Sequence, residues 1–233
     1  MSEHKEKVSK MFSEITKKYD FLNHFFSLGI DYWWRHVLVT GFVFSSKKKA
    51  LDMAAGTLDV TLKTIRTYKD VEVVAGDICL DMLEYGKEKT RGSEIDRICC
   101  QEIDAIAIPY EENSFDIVSI AFGIRNVEDR VKALSEMHRV LEVGGQLHIL
   151  EFAPIQNKYL QKAYYWYLEK AMPKIAEFFG AKSDAYEYLS SSIRNFPKAD
   201  DFCEEIKQAG FDFVKYKKLT FGIVTIYIAI KSK

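Results

Sequence analysis

The stretch from Ala50 to Val60 reads ALDMAAGTLDV. Its apolar run ends at Gly56-Thr57, and the residues that follow have the spacing of a helix. A strand, a glycine turn and a helix in this order form the usual cradle for a nucleotide at a helix N-terminus. The stretch therefore predicts the first strand of a parallel sheet, with a ligand at the carboxyl end of that strand.

Apolar runs and helical patterns alternate along the rest of the chain. Strands are predicted over residues 50–55, 71–76, 97–102, 115–121 and 146–152. Helices are predicted over residues 58–67, 80–89 and 128–141, the last of them stopping at Gly144-Gly145. Residues 211–219 and 223–230 have the pattern of an antiparallel hairpin. The expected fold is α/β and Rossmann-like: a mostly parallel seven-stranded sheet with an antiparallel C-terminal edge hairpin and helices on both faces.

Two aromatic-rich regions, residues 1–45 and 154–200, fall outside that alternation. In the second region one helical face carries Leu160, Tyr164, Tyr167, Leu168 and Ala171, and Pro173 is expected to break or kink the helix. This face either packs on the sheet or covers an apolar substrate as a lid. Since no linker divides the chain, residues 1–233 are expected to form a single domain.

The composition narrows the class of protein. Of 233 residues, 48% are hydrophobic, and 33 basic residues balance 34 acidic ones, so binding nucleic acid by bulk electrostatics is not expected. The polar N-terminus and the lack of a long apolar run predict a cytoplasmic protein without a signal peptide or membrane span. The four cysteines are expected to be reduced thiols. They share no metal-ligand spacing with His24, His36, His138 or His148, which predicts no metal.

The glycine turn offers a single glycine, Gly56, where a pyrophosphate-binding loop requires several. A cofactor without phosphates needs less room. Asp77 follows the second strand, where its two carboxylate oxygens can accept hydrogen bonds from both hydroxyls of a ribose. Asp104 follows the third strand, where it can receive the exocyclic amine of an adenine. This set of strand ends predicts S-adenosylmethionine as the ligand.

The chain resembles the ubiquinone/menaquinone biosynthesis C-methyltransferase family (UbiE/MenG) over residues 11–230. The resemblance is carried by MFSEITKKYDFLNHFFSLGIDYWWR, LDMAAGT, IPYEENSFDIVSIAFGIRNVEDR, ALSEMHRVLEVGGQLHILEF, AYEYLSSSIRNFP and AGFDFVKYKKLTFGIVTIYIA. It implies a class I methyltransferase that moves a methyl group from S-adenosylmethionine to the ring carbon of a polyprenylated hydroquinone. The acceptor is then demethylmenaquinol, the analogous benzoquinol, or both. With Gly56 of the turn, the implied cofactor contacts are Thr57, Asp77, Asp104 and Ala105.

Arg125 and Asn126 follow the fourth strand, beside the expected cofactor, and are the candidate catalytic residues. The fixed charge of Arg125 can stabilise a phenolate that develops on the acceptor, although an ion pair with Glu128 or Asp129 is the structural alternative. Further candidates for binding the acceptor lie in the two aromatic-rich regions, where a structural role is the alternative for each: Tyr19, Asp20, Asn23, Tyr188 and Arg194.

Two positions depart from the family pattern. Leu58 stands where a second glycine is usual, and its side chain is expected to restrict positive φ and to crowd the methionine tail of the cofactor. Ala121 stands where many relatives have serine, which removes a polar contact near the cofactor. Neither change affects the acids expected to bind ribose and adenine, so we expect an active enzyme.

The residues leave other functions open. The chain could methylate another small hydrophobic acceptor, or serve without catalysis in a quinone-biosynthesis assembly; a homodimer is also compatible. Because a polyprenyl quinol resides in the bilayer, transient contact with a membrane surface is expected through the aromatics at 21–34 and 159–167. Lysines near the second segment would add attraction to anionic lipid: Lys158, Lys162, Lys170 and Lys174.

Overall fold

A computed structural model of the protein describes residues 6, 10, 13, 16, 20, 21, 23–45, 48–178 and 184–233, with the backbone alone at 176, 178 and 184–186. The strands are β1 Lys49–Met53, β2 Glu72–Asp77, β3 Ile98–Glu102, β4 Phe115–Ala121, β5 Leu141–Phe152, β6 Phe213–Leu219 and β7 Val224–Ile230. The helices are α1 Ile30–Val39, α2 Asp59–Thr67, α3 Leu80–Lys87, α4 Arg130–Val140, α5 Lys158–Trp166, α6 Met172–Phe178, α7 Asp184–Asn195 and α8 Ala199–Gln208.

The strands form one sheet in the order β3-β2-β1-β4-β5-β7-β6. The first five strands are parallel, whereas β7 is antiparallel to both β5 and β6. Met53 at the end of β1 pairs with Gly76 of β2 and with Ile120 of β4, so three carboxyl ends meet at one edge. The predicted parallel sheet and C-terminal hairpin are confirmed, and β7 inserts between β5 and β6.

Apolar side chains cover both faces of this sheet. In β4, Ile117 packs in one core cluster and Val118 in the other, as alternation along a strand requires. Helices α1 and α2 bury Leu38 and Ile65 against the first face. Helix α4 buries Met137 against the second. Helices therefore lie on both faces, as predicted.

The end of α4 differs from the prediction. The helix stops at Val140, and β5 begins directly at Leu141, which pairs with Phe115. Gly144, with φ of 87°, and Gly145 then lie within an irregular part of β5, where the pairing shifts in register. A Cβ on Gly145 would stand 2.8 Å from the carbonyl oxygen of Glu142. The two glycines thus permit a bend in a strand and do not terminate the helix.

The two added regions pack on each other beside the carboxyl ends of the strands. Leu168, Met172 and Ile193 of the second region form a small core that Phe26 of the first region contacts. The hydroxyl of Tyr167 donates to the carbonyl oxygen of Phe26 at 3.0 Å. A π-helical turn, Tyr167–Ala171, joins α5 to α6 just before Pro173, so the helix is interrupted close to the predicted position.

Candidate active site

A cleft of about 790 Å³ opens where β1, β2 and β4 end. It is lined by Met53, Ala54, Gly56, Asp77, Ile78, Cys79, Met82, Ile103, Asp104, Ala105, Ile120, Ala121, Phe122, Gly123, Asn126, Val127 and Glu128. We refer to it as the donor cleft.

Asp77 is built into the glycine turn. Its carboxylate accepts hydrogen bonds from the backbone N–H of Gly56 at 2.8 Å and of Cys79 at 2.9 Å, one on each oxygen. Gly56 provides the first of these from a left-handed conformation with φ of 52°. Burial raises the pKa of Asp77 while the backbone donors oppose that rise. The backbone N–H of Ile78 also interacts with this carboxylate. A carboxylate has roughly four acceptor sites, so the group can still accept a hydrogen bond from a ligand hydroxyl.

Asp104 and Ala105 also line the donor cleft. One oxygen of Asp104 accepts the backbone N–H of Ile106 at 3.2 Å, which orders the turn after β3. Ala121 also lines the cleft and brings no polar group to it. The predicted acids therefore reach one cleft together, from the ends of different strands.

Leu58 does not behave as expected from the sequence. Its backbone keeps the left-handed conformation, with φ of 67°, just before α2 begins. Its side chain is fully buried in the core and does not line the donor cleft. A Cβ on Gly86 of α3 would stand 2.5 Å from its Cγ, so leucine occupies the space that this glycine leaves. The side chain therefore occupies the core and not the donor cleft, where the sequence had placed it.

Thr57 is buried and is not among the residues that line the donor cleft. Its hydroxyl donates to Asp20, whose other carboxylate oxygen accepts from Lys89 at 2.8 Å. Lys89 also bonds Asp59 at 2.7 Å, and Asp59 pairs with Arg35 at 3.3 Å. Two predicted site residues, Thr57 and Asp20, thus belong to a polar network that fastens the N-terminal region to the glycine turn.

A second, larger cavity of about 1,490 Å³ lies between the two added regions and the sheet. Mostly apolar residues line it: Asn23, Phe26, Ser27, Leu28, Ile30, Asp31, Trp34, Arg35, Phe122, Arg125, Phe152, Tyr164, Tyr167, Leu168, Met172, Tyr188, Leu189, Ile193, Thr220 and Ile223. Of the predicted acceptor-binding residues, Asn23 and Tyr188 are among them, whereas Tyr19 falls outside the described residues. We refer to this space as the acceptor cavity.

Phe122 lines both the donor cleft and the acceptor cavity. Its φ of 57° is unusual for a bulky residue, and such strain is concentrated at functional sites. The ring lies 4.7 Å from that of Phe152, centroid to centroid. A Cβ on the next residue, Gly123, would stand 2.4 Å from the Cβ of Ala54, so this turn lies directly against the glycine loop. The turn after β4 therefore separates the two spaces.

Arg125 and Asn126 extend that turn toward different spaces. Arg125 lines the acceptor cavity and Asn126 lines the donor cleft. Asn126 accepts a hydrogen bond from the hydroxyl of Tyr188 at 3.2 Å. The structure thus brings three predicted site residues together at the boundary between the spaces.

The partner of Arg125 is Glu151, at 2.7 Å, and not Glu128 or Asp129 as the sequence suggested. Both side chains are buried, with 5% and 0% of their surface exposed. Burial raises the pKa of Glu151, and the charge of Arg125 opposes that rise. The Arg125 guanidinium also lies 5.5 Å from the ring centroid of Phe152. The sequence analysis did not identify Glu151 as a site residue. An acidic residue within the apolar run of β5 was the feature that could have indicated it.

Asp31 is a second functional candidate that the sequence reasoning missed. It lines the acceptor cavity, is almost fully buried, and accepts hydrogen bonds from Ser27 at 2.7 Å and from Arg35. His24 lies 2.6 Å away through Nδ1. Burial raises the pKa of Asp31, but the contacts with His24 and Arg35 outweigh it and hold that pKa well below its usual value. The cavity wall thus carries a stable carboxylate.

Arg194 lies apart from these groups. It pairs with Glu169, and its guanidinium lies 4.7 Å from the ring centroid of Tyr165. It lines neither the donor cleft nor the acceptor cavity. The structure therefore does not bring this predicted acceptor-binding residue to the site.

The described part of the chain offers neither a clustered metal site nor a membrane-spanning helix. Among these residues, His, Cys, Asp and Glu side chains form no group of three or more that could hold a metal ion. No helix within the same residues has the length and hydropathy needed to cross a bilayer.

Comparison with known proteins agrees with this architecture. In solved structures, the fold is similar to a possible histamine N-methyltransferase from Thermotoga maritima, with a TM-score of 0.65 and 16% identity, covering 95% of this chain and 98% of that one. It is also similar to phosphoethanolamine N-methyltransferase 2 of Haemonchus contortus in complex with S-adenosyl-L-methionine, with a TM-score of 0.64 and 14% identity, covering 95% and 60%. At these identities the likeness concerns the fold alone, and it confirms the class I methyltransferase architecture.

The sequence relatives are more similar. The chain is 40% identical over 233 residues to the ubiquinone/menaquinone biosynthesis C-methyltransferase UbiE of Geobacter sp. strain M21, which covers 99% of both chains. It is 38% identical over 229 residues to the protein of the same name in Stenotrophomonas maltophilia, covering 96% of this chain and 89% of that one. Residues 1–231 match the ubiE/COQ5 methyltransferase family. The chain therefore belongs to the ubiE/COQ5 methyltransferase family.

Proposed function

We propose that this chain transfers a methyl group from S-adenosylmethionine to the ring carbon of a polyprenylated hydroquinone in menaquinone or ubiquinone biosynthesis. The observation that carries the proposal is the meeting of two unlike spaces at one turn. The donor cleft, with its acids, and the large apolar acceptor cavity share Phe122. A small polar donor and a large apolar acceptor would therefore meet across this residue.

The donor cleft suits S-adenosylmethionine, which supplies an electrophilic methyl group on a sulfonium. Asp77 would accept hydrogen bonds from the ribose hydroxyls, and Asp104 with Ala105 would receive the adenine. Gly56 allows the ligand to approach the backbone of the turn closely. Thr57 contributes indirectly, because its hydroxyl bonds Asp20 and so orders the loop.

The acceptor cavity suits a ring that carries a long apolar tail. Its walls are mainly aromatic and aliphatic, and its volume, counted with the space open to solvent, is about 1,490 Å³, larger than that of the donor cleft. The two added regions, 1–45 and 154–200, would cover the ring as a lid and exclude water from it. Asn23 and Tyr188 would position it from opposite sides of that lid.

Arg125 would act on charge that develops on the acceptor. A ring carbon becomes nucleophilic as a ring hydroxyl loses its proton, and a fixed cation stabilises the resulting phenolate. Glu151 would serve as a positioning residue, because its buried carboxylate holds the guanidinium at 2.7 Å. Asn126 would orient the reacting groups from the donor side.

The same acceptor implies contact with a membrane surface. Leu28 lines the acceptor cavity yet is 84% exposed, which marks the mouth of the cavity. Phe221 is 87% exposed in the turn whose neighbours Thr220 and Ile223 also line the cavity. These side chains would enter the bilayer interface while the prenyl tail passes between membrane and enzyme.

The decisive experiment incubates the purified protein with S-adenosylmethionine and either demethylmenaquinol or the demethyl benzoquinol. Mass spectrometry should detect a product heavier by one methyl group with at least one of these quinols. Calorimetric titration with S-adenosylmethionine accompanies it. Donor binding without any methylated quinol would indicate another hydrophobic acceptor. No binding at millimolar donor would favour a non-catalytic role.

A further inference from the structure

A third cavity, more polar than the other two, reaches the site from the side of α7. Its volume is about 490 Å³, and it is lined by Arg125, Arg130, Tyr188, Ser191, Ser192, Asn195 and Phe196. Arg125 and Tyr188 also line the acceptor cavity, so the two spaces share a wall. Ser191 and Asn195 are exposed, which places the other end of the cavity at the surface. We refer to it as the polar cleft.

The proposed reaction must release one proton per turnover. A carbon–carbon bond forms between the ring and the methyl group while the carbon–sulfur bond of the donor breaks, and its electron pair stays on sulfur as a neutral thioether. The ring carbon then loses its hydrogen as a proton, and those electrons restore the aromatic ring. A ring hydroxyl that is deprotonated on the way is protonated again, so the net product is one proton that has to reach solvent.

With both substrates bound, neither the donor cleft nor the acceptor cavity offers that proton a water-filled path to the surface. The donor fills one of them, and the acceptor ring with its apolar tail fills the other. The polar cleft is a further connection between Arg125 and the surface. In addition, the Nε atom of Arg125 is buried and has no hydrogen-bond partner among the described residues. Buried donors of this kind are normally satisfied by water.

The chemistry of the cleft favours water over an anion. Arg130 is held by both oxygens of Glu205, at 2.8 and 2.7 Å, so its charge is already neutralised. The hydroxyls of Ser191 and Ser192 donate to backbone carbonyl oxygens of their own helix, each at 2.9 Å. Their oxygen lone pairs remain as acceptors, and the amide of Asn195 can both donate and accept. Such a wall suits a short chain of water molecules.

We propose that the polar cleft is the exit through which the proton released by methyl transfer reaches solvent, with Arg125 and Tyr188 at its inner end and Ser192 and Asn195 as the groups that hold its water. This inference rests on the proposed function. It assigns a role to Ser192 and Asn195, which line neither the donor cleft nor the acceptor cavity.

The test compares two double variants of equal bulk. Ser192→Val with Asn195→Leu removes the polar groups from the cleft, whereas Ser192→Thr with Asn195→Gln retains them. Single-turnover methylation of a short-prenyl demethyl quinol is measured in H2O and in D2O, and donor affinity is measured by calorimetry. We expect the apolar variant to be slowed on the order of tenfold, below the roughly 100-fold typical of removing an acid–base group itself. Its solvent isotope effect should rise, while donor affinity stays unchanged in both variants.

Each outcome decides a different point. An apolar variant that keeps the wild-type rate, or is slowed without a larger isotope effect, overturns the proton exit and leaves the proposed function intact. A wild-type protein that methylates neither quinol overturns the function itself. If the double apolar variant does not fold, Asn195→Leu against Asn195→Gln at this exposed position carries the same comparison.

Discussion

The side chain of Leu58 lies where a side chain on Gly86 would have to be: a Cβ on Gly86 would stand 2.5 Å from the Cγ of Leu58. Leucine at 58 has a left-handed backbone and is fully buried. The glycine that is missing from the turn thus has a counterpart in the glycine present on α3. The turn keeps its left-handed backbone, and the leucine that replaces the usual glycine packs its side chain in the core.

This relationship predicts an unusual order of stabilities. Leu58→Gly and Leu58→Ala both remove a buried leucine and should lower the free energy of unfolding by about 2 to 5 kcal/mol. The glycine variant should be the more stable of the two by about 1 kcal/mol, because alanine retains the left-handed strain. Denaturant titration measures both, and calorimetry should show unchanged affinity for S-adenosylmethionine. Tighter binding by the glycine variant would mean that Leu58 does hinder the donor.

Asp77 should be a principal determinant of donor affinity. Asp77→Ala removes the acceptor for the ribose hydroxyls and for the N–H groups of Gly56 and Cys79. Loss of a charged hydrogen-bonding group costs about 1.5 to 3 kcal/mol, or roughly one to two decades in dissociation constant. Calorimetry with S-adenosylmethionine measures this. Asp70→Ala, at an exposed acid just before β2, is the matched control and should leave affinity unchanged; equal affinities in the two variants would remove Asp77 from the site.

Arg125 should contribute to turnover far more than to donor binding. Replacing Arg125 alone would leave the buried carboxylate of Glu151 unpaired, which typically destabilises by about 3 to 5 kcal/mol. The pair is therefore removed together, as Arg125→Met with Glu151→Met. We expect this variant to fold, to bind the donor normally and to lose turnover on the order of 100-fold, as when a group that stabilises developing charge is removed. Parallel losses in turnover and donor affinity would instead show that Arg125 shapes the donor cleft.

Leu28 and Phe221 should tether the protein to membranes without supporting its fold. Both are highly exposed, and both have left-handed backbones, with φ of 53° and 56°. Asparagine accepts that conformation readily, so Leu28→Asn and Phe221→Asn should leave the melting temperature unchanged or higher. Flotation with anionic vesicles should show weaker binding, by about a decade for each side chain. The control is Val43→Asn, which removes an exposed apolar group that precedes β1 and lies outside the acceptor cavity, and this variant should bind vesicles like the wild type. Equal losses of binding in all three variants would show that the side chains at the mouth of the cavity have no specific role in membrane contact.

His148 should make stability depend on pH. Burial lowers the pKa of this histidine from 6.5 to about 3, so the folded protein keeps it neutral. The unfolded chain takes up the proton below about pH 6.5, so the contribution is present above that pH and is lost as the pH falls toward 3. The expected slope is about 1.4 kcal/mol per pH unit within this window. His148→Asn should show a shallower fall in unfolding free energy on acidification, and identical slopes would exclude the histidine.

The sequence by itself determined the sheet and the edge at which ligands bind. Strand and helix periods are local, and the carboxyl ends of parallel strands must meet at one edge. Asp77, Asp104 and Gly56 could therefore be assigned to one cleft before any coordinates were known. The turn that follows β4 was placed beside that cleft by the same reasoning, with Arg125 and Asn126 on it.

Only the tertiary structure decided which distant groups meet. Arg125 and Glu151 are 26 positions apart, and Thr57 and Asp20 are 37 apart, so no local period relates them. The sequence suggested Glu128 or Asp129 as the partner of Arg125 because they are close to it along the chain, and this was wrong. The turn after β4 instead brings the Arg125 side chain to the neighbouring strand β5, where Glu151 lies. The position of the Leu58 side chain depended in the same way on Gly86, which is distant in sequence. Only packing decides whether such a side chain enters a ligand site or fills the core.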